Sequence, residues 1–248
     1  MNGRYQTAMV ELRDITKIYR QGTVDIPALR GVTLTIQKGE FTAICGPSGS
    51  GKTTALNIIG ALDTPTSGEV SVEGQNLGDL SRRALSRIRR DRIGFVFQAY
   101  NLIPVLTAYE NAEIVMSLQG ATPAERRRRV MDLLAEVGLT GLEDRRPDQL
   151  SGGQQQRVAI ARAIAANPAV VLADEPTANV DSDTADKLLA IMETLNTSRG
   201  VTFIFSTHDP RVMARARRLV RLVDGSVADD GIPNTPGRGP DSDHRPGR

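Results

Sequence analysis

Residues 46–53 read Gly-Pro-Ser-Gly-Ser-Gly-Lys-Thr and match the phosphate-binding pattern G-x-x-x-x-G-K-[S/T] at every fixed position. Residues 41–45 before the motif form an apolar run typical of a buried strand, and residues 54–59 after it can begin a helix. Glycine lets the backbone wrap closely around a polyphosphate, and the N-terminal end of a helix attracts anions. In this context the motif predicts a nucleotide site rather than a turn that only joins two elements.

Two side chains of this loop carry most of the expected chemistry. The Lys52 ammonium is expected to neutralise the β- and γ-phosphates, and the Thr53 hydroxyl is expected to bind Mg²⁺. The nucleotide-binding residues predicted in this stretch are Gly46, Pro47, Ser48, Gly49, Ser50, Gly51, Lys52, Thr53 and Thr54.

Charge and cysteine content limit the partners of the chain. Its 248 residues include 31 basic and 29 acidic side chains, and a net charge of +2 gives no strong attraction to nucleic acid or anionic membranes. The arginines within residues 82–92 lie opposite an apolar helix face, so we interpret them as a solvated face rather than a nucleic-acid patch. Cys45 is the one cysteine and cannot form an intrachain disulfide, which suits a reducing cytosol. No run approaches the ~20 apolar residues of a spanning helix, so we expect a soluble, cytoplasmic chain.

Alternation of apolar and polar residues predicts antiparallel strands at 9–13 and 32–36, and a closing hairpin over 219–228. The segments from about residue 82 to residue 145 are expected to form a mostly helical insertion in the nucleotide-binding core. Residues 231–248 are rich in Gly and Pro and are expected to form a disordered tail, which leaves 1–230 as the folded domain. The apolar segment 99–107 is interpreted either as core or as a docking surface.

Two later strands are predicted to end in polar side chains that suit phosphate chemistry. The apolar run 169–173 leads into Asp174 and Glu175; the first can hold Mg²⁺ through water, and the second can accept a proton from an attacking water. The next strand, 201–205, leads to His208, at the edge of an open α/β sheet where ligands bind. Before these strands, residues 150–154 precede a helix whose N-terminus can offer N–H groups to an anion.

Together these motifs resemble the ATP-binding subunit of ATP-binding cassette (ABC) transporters, over residues 9–229 in one order and spacing. The resemblance implies an α/β fold of the P-loop NTPase type, with a parallel sheet core, an antiparallel β subdomain and a helical subdomain. It assigns adenine stacking to Tyr19, a Q-loop contact with metal or water to Gln98, and the D-loop position to Asp181. It assigns the family signature to residues 150–154, with nucleotide contacts from Ser151, Gly152, Gly153 and Gln154. The implied catalytic residues are Glu175, His208, Gln98 and Lys52, and the implied Mg²⁺ ligands are Thr53, Gln98 and Asp174.

The resemblance also implies partners. Members of the family act as dimers in which two ATP molecules lie between the phosphate loop of one copy and the signature of the other. We therefore expect ATP and Mg²⁺ as ligands, a homodimer, an integral membrane permease as partner, no nucleic acid, and a location on the cytoplasmic face of the membrane. Residues 94–98, 101–104 and 176–179 are similar to the branch that serves lipoprotein release, macrolide export and cell-division permeases.

Two alternatives remain open at this stage, and a third class is disfavoured. One is a soluble ABC ATPase that acts on DNA or ribosomes, although no long coiled-coil insertion or second cassette is present in the sequence. Another is a nucleotide-gated scaffold that hydrolyses little ATP. A small GTPase is disfavoured because the sequence has no Asn-Lys-x-Asp string.

Overall fold

The computed structural model describes residues 8–233. The strands are β1 (Ala8–Gln21), β2 (Val24–Gln37), β3 (Phe41–Cys45), β4 (Ser67–Val72), β5 (Gln75–Asn76), β6 (Ile93–Val96), β7 (Val170–Asp174), β8 (Thr202–Thr207), β9 (Arg218–Val223) and β10 (Ser226–Gly231). The helices are α1 (Lys52–Ile59), α2 (Arg82–Arg92), α3 (Ala108–Leu118), α4 (Pro123–Glu136), α5 (Gly152–Ala165), α6 (Ser182–Arg199) and α7 (Pro210–Arg215), and Pro147–Gln149 form a 3₁₀ turn.

A six-stranded sheet in the order β10-β9-β3-β8-β7-β6 forms the centre of the protein. Strands β9, β3, β8, β7 and β6 pair in parallel, and β10 adds to the edge as an antiparallel hairpin with β9, as the sequence predicted. Strands β3 and β8 are buried along their whole length, and the polar residues in them are small hydroxyl residues. Phe41 packs its ring against Phe205 and Phe203, at centroid distances of 4.7 and 5.6 Å, and so ties the two strands together.

A second sheet, β2-β1-β4-β5, is antiparallel and confirms the β-rich start predicted from alternation. Val10 pairs with Ile36 and Leu12 with Leu34, so apolar side chains from both strands share one face. That face packs on α1 and on the central sheet in a shared apolar cluster. The helix that follows the phosphate loop is therefore held between the two sheets.

Helices α3, α4 and α5 pack on one another around a second apolar cluster. Each begins at a hydroxyl residue whose side chain accepts a backbone N–H three residues on, namely Thr107, Thr122 and Ser151. Thr122 and Glu125 form a capping box, in which each side chain accepts a backbone N–H of the other residue.

The helical unit has different limits from the insertion expected over residues 82–145. Strand β6 lies within that range but pairs with β7 in the central sheet, because Ile93 and Val96 are buried there. Helix α2 packs Leu85 and Ile88 against the cluster around α1 rather than against α3 and α4. The structure thus groups α3 and α4 with α5, which follows residue 145.

The two ends of the chain are only partly described. The expected tail, residues 231–248, lies outside the described residues from 234 onward, and Gly231 is the last residue of β10. Among the described residues no helix is both long enough and apolar enough to cross a bilayer.

Asn111 on α3 fixes the irregular segment that precedes its helix. Its amide donates to the carbonyl oxygens of Ile103, Leu106 and Thr107, and its Oδ1 accepts the Ile103 N–H at 2.7 Å. The side chain is fully buried, so the carbonyl groups it serves are shielded from water. In the segment itself, Leu102 packs against the core, whereas Val105 is 71% exposed.

We predict that Asn111→Ala lowers the free energy of unfolding by about 2–3 kcal/mol, because buried backbone groups lose their partners. Chemical denaturation followed by circular dichroism measures this change, with the exposed Gln75→Ala as the matched control expected to lose less than ~0.5 kcal/mol. A loss for Asn111→Ala as small as that of the control would contradict the assigned role.

Candidate active site

A cavity of about 490 Å³ opens at the carboxyl edge of the central sheet. It is lined by Ala28, Ser48, Gly49, Ser50, Gly51, Lys52, Thr53, Thr54, Gln98, Glu175 and His208. The structure therefore brings most of the predicted phosphate loop together with three residues from distant parts of the sequence.

Strand register explains this convergence. In the parallel pairs Cys45 lies opposite Thr207, and Asp174 lies opposite Ser206. The loops that follow β3, β7 and β8 therefore leave the sheet at the same level along the strand direction.

The phosphate loop is closed tightly on itself. Gly46 has a φ of 150°, and a Cβ atom there would overlap the carbonyl oxygen of Leu222, so the position requires glycine. Lys52 begins α1, and its Nζ donates to the carbonyl oxygens of Gly46 and Pro47, both at 2.9 Å. The ammonium is thus held at the wall of the cavity and retains a third N–H for a ligand.

Glu175 is fixed by three hydrogen bonds at the end of β7. Its backbone has a φ of 45°, and its N–H donates to Ser206 O at 2.9 Å. Thr207 Oγ1 donates to Glu175 Oε2 at 3.1 Å, and His208 Nδ1 lies 2.7 Å from Oε1. An ionised carboxylate only accepts hydrogen bonds, so Nδ1 carries the proton and Nε2 remains for another partner. Thr207 was not singled out from the sequence, although its position beside His208 could have indicated it.

Two side chains with oxygen atoms that could bind a metal, Thr53 and Asp174, are next to Lys52 and Glu175 in the sequence. Thr53 Oγ1 donates to Asp174 Oδ1 at 3.3 Å. Both groups are hard oxygen ligands of the kind that Mg²⁺ prefers.

The segment after Gln98 is tied to the rest of the site by contacts that the sequence did not reveal. Tyr100 and Asn101 have left-handed backbones, with φ values of 60° and 50°. Arg162 of α5 donates to both of their carbonyl oxygens, at 2.8 and 2.5 Å. The Tyr100 hydroxyl donates to Asn179 O, and Asn179 Nδ2 donates to Gln98 O at 2.9 Å. Burial lowers the pKa of the Arg162 guanidinium.

The predicted signature residues lie away from this cavity. Ser151 caps α5 and forms a reciprocal pair with Gln154, whose Oε1 accepts the Ser151 N–H at 2.8 Å. A Cβ atom on Gly153 would overlap the Thr184 methyl group, so close packing requires glycine there. Asp181 caps α6 through Thr184, and the Thr184 hydrogen bonds lower the pKa of the Asp181 carboxyl. The signature and Asp181 therefore form one packed unit, and none of the described cavity-lining residues belongs to it.

Tyr19 lies near the end of β1 and is 39% exposed. Its hydroxyl donates to Asp63 Oδ2 at 2.7 Å. It is not among the residues that line the cavity, although the Thr54 side chain of the cavity wall lies close enough to influence its hydroxyl.

Comparison with known protein families gives a match over residues 29–178 to the family described as "ABC transporter". A lipoprotein-releasing system ATP-binding protein, LolD, from Anaeromyxobacter dehalogenans is 50% identical over 226 residues, which are 91% of this chain and 95% of the relative. The macrolide export ATP-binding/permease protein MacB from Syntrophobacter fumaroxidans is 48% identical over 221 residues, which are 88% of this chain. The chain spans only 31% of that MacB relative.

A solved structure gives the same result. A dimeric, post-hydrolysis state of the ATP-binding cassette MJ0796 bound to ADP and Pi has a TM-score of 0.84 and 47% identity with this chain. The alignment covers 90% of this chain and 98% of the solved chain. The curated relative of the same name, from Methanocaldococcus jannaschii, is 49% identical over 88% of this chain and 95% of its own length.

We predict that Arg162→Met reduces the hydrogen-exchange protection of residues 98–106 by about tenfold or more, because hydrogen bonds to a charged donor are stronger than neutral ones. Mass spectrometry of backbone amide exchange measures the effect, with the exposed α2 variant Arg87→Met as control. Unchanged protection in Arg162→Met would show that the segment does not depend on this guanidinium.

Proposed function

Because the chain belongs to the ABC transporter family, we propose that two copies of it form two composite ATP-hydrolysing sites whose closure and reopening drive a membrane permease. The family match and the LolD, MacB and MJ0796 relatives confirm the family and the branch that the motifs predicted. The α/β fold with a parallel core and an antiparallel β-sheet is confirmed as well.

The observation that carries the proposal is the separation of the two phosphate-binding parts within one copy. The cavity is lined by the phosphate loop, Glu175 and His208. Ser151 and Gly153 lie instead at the N-terminus of α5, and neither of them lines the cavity. A second copy related by a two-fold axis would supply the missing N-terminus to each cavity, because an isologous interface repeats every contact. The dimeric state of the MJ0796 cassette with ADP and Pi supports this arrangement.

Lys52 and Glu175 would perform the two main chemical tasks. On phosphate binding, the Lys52 ammonium would direct its free N–H toward the β- and γ-phosphates and balance their charge. Glu175 uses two lone-pair sites on Thr207 and His208, and about two of its four remain to accept the proton of an attacking water. His208 Nε2 and the Gln98 side chain would then contact the γ-phosphate and the water.

The donor set beside the phosphate loop fits Mg²⁺. Thr53 Oγ1 and Asp174 Oδ1 lie 3.3 Å apart, so a hydroxyl oxygen and a carboxylate oxygen of the kind that Mg²⁺ prefers converge beside the phosphate loop. We propose Thr53 as a direct ligand, Asp174 as a ligand through water, and Gln98 as a third protein contact. Held by these residues, Mg²⁺ would supply positive charge that offsets the negative charge of the phosphates.

An apolar groove suits the permease contact. It has a volume of about 420 Å³ between α2, β6, α3 and α5, and Leu62 and Leu118 on its rim are 49% and 65% exposed. Arg89, Arg90 and Arg162 also line it, so a short permease helix with apolar and acidic side chains is the complementary partner. Docking there would place the chain on the cytoplasmic face of the membrane, and segment 98–106 would connect the groove to the active site.

Glu175→Gln should bind ATP but hydrolyse it at least ~100-fold more slowly, because the amide keeps the shape of the carboxylate and loses its basicity. We expect this variant to form a stable dimer with MgATP and a monomer without nucleotide, as measured by size-exclusion chromatography with light scattering. Lys52→Ala is the control and should remain monomeric in both conditions, since it binds the phosphates poorly. A monomeric Glu175→Gln with saturating MgATP would contradict the composite site.

Leu118→Glu should weaken co-purification with the permease partner by about tenfold or more, because docking would bury an unpaired charge. ATP binding by the isolated chain should be unchanged, since Leu118 lies outside the cavity. Val24→Glu, at a residue 60% exposed on the β1–β2 hairpin, is the matched control and should co-purify normally. Normal co-purification of Leu118→Glu would place the permease elsewhere.

A further inference from the structure

A charged clamp joins the end of the phosphate-loop helix to β1. Asp63 follows α1, and its two carboxylate oxygens accept from two side chains of β1. Lys17 Nζ donates to Oδ1 at 2.6 Å, and the Tyr19 hydroxyl donates to Oδ2 at 2.7 Å. Lys17 and Tyr19 therefore project to the same side of β1, since both side chains reach one carboxylate even though the strand register shifts next to Lys17.

Lys17 does more than balance the carboxylate. Its Nζ also donates to Thr64 O at 2.7 Å and lies 4.9 Å from the centroid of the Tyr19 ring, in the range of a cation–π contact. The ammonium occupies one face of the ring, and its side chain is only 12% exposed. The exposed part of Tyr19 is therefore on the remaining face and edge of the ring.

The network holds Asp63 in its charged form. Partial burial acts to raise the pKa of the Asp63 carboxyl, but hydrogen bonds from Lys17, Tyr19 and the Thr64 N–H outweigh burial and lower it. Burial and the bond to Asp63 raise the pKa of the Tyr19 hydroxyl, which stays a donor at neutral pH. Hydrogen bonds to a charged acceptor are short and strong, so the ring has both its position and its rotation restricted before a ligand arrives.

We propose that Asp63 and Lys17 are positioning residues for the purine base: they hold Tyr19 as a one-sided stacking platform at a fixed distance from the phosphate loop. This inference rests on the proposed ATP-binding function and on the contact between Tyr19 and adenine that the family resemblance implies. The physical gain is preorganisation, because a ring already fixed loses little side-chain freedom when a base stacks on it. Asp63 belongs to the connection that follows α1, so base platform and phosphate cradle are anchored to the same helix.

Binding of ADP and of pyrophosphate to the full chain separates the base contribution from the phosphate contribution. Both can be measured by isothermal titration calorimetry without the dimer closure that ATP is proposed to cause. Tyr19→Ala should weaken ADP binding about tenfold or more and leave pyrophosphate binding unchanged, since base–aromatic stacking is lost. Asp63→Ala, Lys17→Met and Tyr19→Phe should each weaken ADP binding about three- to tenfold, again with pyrophosphate unchanged.

The double variant Tyr19→Ala/Asp63→Ala provides the decisive readout. If Asp63 acts through the ring, the double variant binds ADP no more weakly than Tyr19→Ala alone, because there is no platform left to position. Asp25→Ala, an exposed acid on the same hairpin, should bind both ligands normally.

Four results would overturn the inference. Asp63→Ala could weaken pyrophosphate binding as much as ADP binding. In the double variant, the loss of ADP affinity caused by Asp63→Ala could add in full to the loss caused by Tyr19→Ala. Either result would show a general structural role. Asp63→Ala could leave ADP binding unchanged while Tyr19→Ala weakens it, which would remove the positioning role alone. An unchanged ADP affinity in Tyr19→Ala would overturn the proposed base contact itself, and the positioning role with it.

Discussion

Strands β3, β8 and β7 hydrogen-bond in parallel with Cys45 opposite Thr207 and Asp174 opposite Ser206, so the loops that follow them leave the sheet together. The contact of Thr53 with Asp174 and those of Glu175 with Thr207 and His208 depend on this register. A shift of one residue would reverse the faces of Asp174 and Glu175, and would separate Thr53 from Asp174 and His208 from Glu175. The buried aromatic contacts of Phe41 stabilise the register on the side away from the cavity.

The second constraint is that the residues proposed to form the site belong to two units of the chain. The phosphate loop belongs to the sheet core, whereas the signature begins α5 and packs against Thr184 at the start of α6. Segment 98–106 lies between them, since Arg162 of α5 holds its carbonyl groups and Asn179 holds Gln98. A movement of the helical unit would therefore reach Gln98 through hydrogen bonds rather than through a flexible connection.

Local patterns in the sequence were sufficient for the parts that depend on neighbouring residues. The phosphate loop, the capping box at Thr122 and the apolar strands that end at Asp174 and Thr207 are all set by residues close in sequence. The limits of the helical unit could not be predicted from local patterns, because β6 joins the central sheet only through its pairing with β7.

The hydrogen bonds around the site between residues distant in sequence could not be predicted either. Lys17 and Asp63 are separated by 46 residues, and Tyr100 and Asn179 by 79, and no periodicity relates residues so distant. Such contacts exist only once the fold has formed. The asparagine at position 101 is one weak local indication of the left-handed backbone at Tyr100 and Asn101, since asparagine tolerates that conformation better than most residues.

The central claim is that each active site combines the phosphate loop of one copy with the signature of another. Lys52→Ala removes the first contribution and Ser151→Arg blocks the second, so each variant alone should have almost no ATPase activity. In a mixture of the two, each mixed dimer should recover up to about half of the wild-type rate, because it contains one complete site of two. A mixture as inactive as its components, with mixed dimers demonstrated in the sample, would contradict the composite site.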